Sequence, residues 1–326
     1  MPRTRIRWRV AGFVAVLAAS TTACVVPAAP EFTALPDQEQ VQREQLVLHT
    51  DFRLPRHHRL VEELIALRHD VSERLEVPLS DEPIHVYLFE DADRFHGFVS
   101  RHHEQLPERR AFFVESDTQL VVYAHWGDRV AEDLRHELTH GYLHSVVPHL
   151  PLWLDEGLAE YHELPRGRKG LHLPHITALS DRYAKYLWKP GLDRLQRFTD
   201  VRDMRQIDYA ESWLFAHWLM ESSPQRSALL RNYLARLRMT GECPPFSRYL
   251  AEAEPNYEQE LLAHLESLRR EVELNDNEFG SRAPPVGVRN PLALPGATPC
   301  MSRFDRSGWD SSPPKRAFPS DTDRHV

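Results

Sequence analysis

His136-Glu137-Leu138-Thr139-His140 sets two imidazoles four residues apart with a carboxylate between them. On a helix, residues four apart lie about 40° from one another, so both rings can reach one metal ion. Glu137 is then placed to take a proton from water beside that ion. A catalytic zinc takes three protein ligands and keeps a fourth position open. The stretch Leu152-Trp153-Leu154-Asp155-Glu156-Gly157-Leu158-Ala159-Glu160-Tyr161 offers a carboxylate as the third. At this composition about 0.1 such two-histidine motifs arise by chance, so its setting has to carry the argument. The bland alternative is a surface helix with two solvated histidines.

The setting is helical. Gly127-Asp128 reads as a helix start with Asp128 as N-cap. Val130, Leu134, Leu138 and Tyr142 then recur at helical spacing beside the histidines. Pro148 and Pro151 interrupt the chain, and a second helix is predicted from about Pro151 or Leu152. On it Glu156 and Glu160 are i and i+4 and share a face. One can ligate a metal while the other accepts the free N–H of a ligating histidine. Glu156 is the better ligand because Gly157 leaves room beside it. Glu163 is read as lying off that face, in solvent.

HELTH followed by WLDEGLAEY resembles the gluzincin metallopeptidases, in particular the peptidase-MA-like families related to aminopeptidase N. The resemblance covers roughly residues 45–225 by motif order. It implies one zinc ion bound by His136, His140 and Glu156, with Glu137 as general base. It also implies that an extended substrate pairs with the sheet edge above the metal helix, a place that residues 119–124 are expected to take; the alternative for them is a plain core strand. Two departures matter: the spacer is shorter than in true aminopeptidases, and no G-x-M-E-N segment lies upstream. An endopeptidase is favoured for that reason. Related enzymes draw the donor to the oxyanion from a downstream Tyr or His. Tyr209 and His217 are the two choices; the pattern Y-x-x-S-W favours Tyr209, against its reading as an aromatic core contact.

Four strands are expected before the metal helix, at 45–49, 83–89, 111–114 and 119–123. Helices are expected at 56–75 and 92–99, and later at 208–220, 225–237 and 257–274. A small sheet followed by helices makes an α+β domain over 44–275, zincin-like by resemblance. Residues 276–326 form a Pro-rich tail read as largely irregular; positions 281–326 hold eight of the 25 prolines.

The 326 residues, 41% hydrophobic and 27% charged, suffice for one sizeable domain with appendages. Residues 1–23 read as an export signal, with Arg3, Arg5, Arg7 and Arg9 before a short apolar run. Thr21-Thr22-Ala23-Cys24 resembles a bacterial lipobox, although Thr21 stands where Leu, Val or Ile is usual. Lipidation of Cys24 would tether the protein to a membrane; simple cleavage after Ala23 is the alternative. Residues 24–43 then read as a tether. Loss of residues 1–23 removes four arginines and no acid, taking the formal charge from −8 to −12. So acidic a chain has no electrostatic footprint for nucleic acid. Cys243 and Cys300 would remain, as a candidate disulfide or as two free thiols. The expected whole is an exported, lipid-anchored zinc metallopeptidase of the cell envelope acting on polypeptides. Its competitors are an envelope binding or assembly lipoprotein with a structural or vestigial zinc, and a zinc hydrolase of non-peptide amides.

Overall fold

The computed structural model describes residues 34–103 and 109–280, with side-chain surroundings described as far as residue 274. The export signal, Cys24, Cys300 and positions 281–326 of the tail lie outside the described residues. Cys243 is half-buried, with its Sγ 3.7 Å from the Tyr249 hydroxyl. Among the described residues no helix is long and apolar enough to cross a membrane.

The architecture is α+β, with a small mixed sheet and a mainly helical remainder. The strands are β1 Glu39–Arg43, β2 Leu46–Thr50, β3 Ile84–Phe89, β4 Ala111–Ser116 and β5 Gln119–His125, in the spatial order β1-β2-β3-β5-β4. The outer pairs, β1 with β2 and β4 with β5, are antiparallel, whereas β2, β3 and β5 run parallel. Helix α1 (Arg59–Leu75) is the crossover between β2 and β3. The tether expected to reach residue 43 therefore ends earlier, because Glu39–Arg43 pairs with β2 through a tight turn with Glu44 at a φ of 49°.

The edge strand differs from expectation. Residues 119–124 belong to β5, which is paired on both sides, and the edge beside the metal helix is β4. Leu120, Val121 and Val122 are a continuous apolar run, all three buried, as in a strand covered on both faces. On β4 the apolar residues give way to exposed Glu115 and Ser116.

Helix α3 (Val130–His144) carries the first motif and lies against β4 and β5. It starts after Arg129 with no side-chain cap, so Asp128 is not the N-cap. At Gly141 a Cβ would sit 2.9 Å from Ile84 Cδ1, so the missing side chain is what lets the helix approach the sheet. On the opposite face α2 (Ala92–His102) closes a small aromatic cluster of Phe89, Phe95, Phe98 and Phe112.

The helical part is built around α7 (Gln206–Glu221), buried continuously from Ile207 to Leu219. Helix α4 (Leu152–His162), which carries the second motif, packs along it. A Cβ at Gly157 would clash with the Ser212 carbonyl group of α7. The glycine thus serves this close helix contact rather than making room beside a metal. Four more helices follow the same pattern of one apolar face: α5 (Leu173–Ala184), α6 (Leu192–Leu195), α8 (Pro224–Thr240) and α9 (Phe246–Ala253). The last, α10, spans Tyr257–Gly280, six residues past the expected helix end.

Candidate metal centre

Helix α3 presents His136 and His140 to Glu156 on α4. Nε2 of His136 lies 3.7 Å and Nε2 of His140 3.9 Å from the same oxygen, Glu156 Oε2. Ligand atoms about 2.1 Å from a tetrahedral ion stand about 3.4 Å apart, so each of these two separations exceeds that spacing by only a few tenths of an ångström. Glu156 is 3% exposed, and its Oε2 is buried without a hydrogen-bond partner. A buried polar atom left without a hydrogen bond is costly. A cation at the centre of the three atoms would satisfy it, and the three residues form a group that can hold a metal ion.

The other ring nitrogens are occupied. His140 Nδ1 meets Asp155 Oδ1 at 2.8 Å, and His136 Nδ1 meets Glu163 Oε2 at 3.1 Å. Each carboxylate can accept from Nδ1–H, which in a neutral ring leaves Nε2 as the lone pair that a ligating imidazole needs. Asp155 is itself held by His144 Nε2 at 3.0 Å, and His144 Nδ1 reaches Glu115 on the edge strand at 2.6 Å. Burial disfavours a charged His144, yet Asp155 and Glu115 outweigh it and push its pKa up to about 9. His144 therefore links α3 to β4 through Glu115.

Glu163 also departs from expectation. It is seven residues past Glu156, two helical turns, hence only about 20° off the same face. Its carboxylate bridges His136 and, at 2.8 Å, His172 Nε2. Burial works against its charge, but the two histidines hold its pKa well below the usual carboxylate range. Arg135 pins the same turn, donating from Nε to the Glu163 carbonyl and pairing with Glu63 of α1. Glu160, expected to support a ligating histidine, instead accepts from His175 Nε2 on α5 at 2.8 Å. Glu160, His172 and His175 also lie close enough to hold an ion. The two imidazole rings stack nearly parallel with centroids 3.6 Å apart, and each Nε2 has a carboxylate at 2.8 Å, Glu163 for His172 and Glu160 for His175. That geometry favours hydrogen bonding to the two glutamates.

Glu137 and His136 line a cleft of about 480 Å³, with Arg109, Arg110, Ala111 and Gln206 along its walls. Burial pushes the Glu137 carboxyl above its ordinary pKa, while His136, His140 and Arg109 pull it back. Tyr209 projects from the start of α7, and its hydroxyl accepts from Arg109 at 2.8 Å. Burial raises the Tyr209 pKa, and the nearby charge of Glu156 raises it further. His217 lies in the core instead, with Nδ1 2.9 Å from His264 Nε2 and its ring against Trp213.

Sequence reasoning missed Asp155, Glu163 and Arg109. Asp155 adjoins Glu156 in the chain, and Glu163 was readable from helical periodicity. Arg109 is 100 positions from Tyr209, and no local pattern links them. Asp155→Ala is expected to weaken metal binding about 10–100-fold, the usual cost of losing a carboxylate behind a ligating histidine. Competition with a chromophoric zinc chelator would measure it, and unchanged affinity would remove Asp155 from the centre. No protein-family model matches this chain, and comparison with curated proteins finds no match.

Proposed function

We propose that this chain is a zinc-dependent peptide hydrolase of gluzincin type, exported and tethered through a lipid on Cys24, acting as an endopeptidase on polypeptides at the bacterial cell envelope. The observation that carries the reading is the convergence of His136 Nε2 and His140 Nε2 on Glu156 Oε2, which has no hydrogen-bond partner, with His136 and Glu137 lining a cleft. These atoms would hold a zinc ion, which when bound would supply a Lewis acid and lower the pKa of water toward neutrality. Glu137 would take a proton from a water in the cleft and return it to the leaving amide nitrogen. Tyr209 accepts from Arg109 and so keeps its own hydroxyl proton for the substrate carbonyl oxygen as charge develops there. Asp155 and Glu163 hold the imidazoles in register.

The outer edge of β4 supports a substrate bound as an added strand, since Ala111 of β4 lines the same cleft. The missing G-x-M-E-N segment supports internal cleavage. Chelator treatment should abolish cleavage of an unfolded protein such as casein, and zinc should restore it. Cleavage unaffected by metal removal sinks the proposal, while zinc binding with no hydrolysis of peptides or other amides favours an envelope binding lipoprotein with a structural metal.

A further inference from the structure

Helix α5 ends in a segment unlike the rest of the surface. Tyr183 is 46% exposed, Tyr186 96% and Leu187 67%. Tyr186 has a φ of 56°, in the left-handed region where a helix end ordinarily takes glycine. The Leu187 N–H closes back on the Arg182 carbonyl at 2.9 Å, so the turn is formed with two bulky side chains held in solvent. A non-glycine residue in this conformation persists only where its surroundings enforce it.

The footing is firm. Trp188 is buried, and its Nε1 donates to Glu211 of α7 at 2.9 Å. The Gly191 N–H donates to the same carboxylate at 2.7 Å. Around the exposed residues stand Arg182, Lys185 and Lys189, with Asp181 the only acid between 181 and 190. Among the described residues none of these three cationic side chains has an ion-pair or hydrogen-bond partner. The segment is thus locally positive on a chain of net charge −8.

Tyrosine rings and leucine enter the headgroup zone of a bilayer, and lysine and arginine are drawn to anionic lipids beside them. We propose that residues 182–189 form a docking element for an anionic lipid surface. Tyr183, Tyr186 and Leu187 enter the interface while Arg182, Lys185 and Lys189 meet lipid phosphates. Charge argues against a second copy as occupant, since a two-fold contact here would bring six cations together with only two carboxylates. The proposal is independent of the metal centre and of lipidation at Cys24.

The test uses the full chain carrying Cys24→Ser in every arm, so that no acyl chain contributes. Sedimentation with phosphatidylcholine vesicles, with or without phosphatidylglycerol, reads binding. Preference for the anionic vesicles is expected. Lys185→Glu/Lys189→Glu should weaken binding roughly thirtyfold, and Tyr186→Ser/Leu187→Ser about tenfold. These positions are exposed, and unchanged thermal unfolding of the variants would confirm intact folding. A second reading places an environment-sensitive fluorophore at Leu187→Cys with Cys243→Ser and Cys300→Ser added; its emission should shift to the blue with anionic vesicles alone. Equal binding by both double variants together with an unmoved fluorophore would overturn the proposal. So would concentration-dependent dimers that Tyr186→Ser/Leu187→Ser abolishes without any effect of vesicles, which would assign the patch to a second copy.

Discussion

Glu156→Ala is expected to lower bound zinc from about one ion per chain to a small fraction of that. The loss should exceed the roughly 10–100-fold that follows removal of a supporting carboxylate, because two imidazoles alone leave half the coordination sphere to water. Stability supplies an independent reading. An ion bound only by the folded state at about 100 times its dissociation constant adds about 2.7 kcal/mol, which for a domain of this size is roughly 5–10 °C in Tm. Wild type should lose that increment when treated with a chelator, and Glu156→Ala should be insensitive to the same treatment. In the metal-free state the variant no longer carries a buried oxygen without a hydrogen bond, so part of the cost of its smaller side chain is offset. Metal content and chelator response that match wild type would remove Glu156 from the ligand set.

Glu137→Gln separates holding the ion from using it. The amide matches the carboxylate in size and cannot take a proton. Zinc content should therefore stay at the wild-type level while turnover of a polypeptide falls about 10²–10⁴-fold. Glu137 lines the cleft and feels both histidines, which places it beside the reacting water of the proposed mechanism. Metal analysis and a cleavage assay on one preparation give both numbers. Retained turnover would transfer the role of base to another group, and loss of metal with turnover would show that Glu137 holds the centre together.

Much of this arrangement is legible in the chain itself. The stripe Val130, Leu134, Leu138 and Tyr142 is buried, as helical spacing requires, and α4 begins at Leu152 where Pro151 permits. The α+β order of elements follows from alternating and 3.6-residue patterns. Errors arose where a local rule met a non-local partner. Residues 119–124 have a strand pattern, but their place inside the sheet depends on β3 on one side and β4 on the other. Glycine at 157 is a visible signal, yet its meaning lies in Ser212 on another helix. Glu163 is a different case, since the two-turn repeat from Glu156 places it near the same face within one local period.

By itself the sequence determined the residue types and the relations within single helices: two imidazoles one turn apart, Glu137 between them, and Glu156, Glu160 and Glu163 along the next helix. The helix repeat fixes those relations to within a few degrees whatever surrounds it. Only the tertiary structure decided which carboxylate meets which nitrogen, that Arg109 reaches Tyr209, and that β4 borders the cleft. A hydrogen bond is directional and needs its atoms within about 3 Å. Such precision between distant segments comes from helix packing and sheet order, and no local period in the chain encodes it.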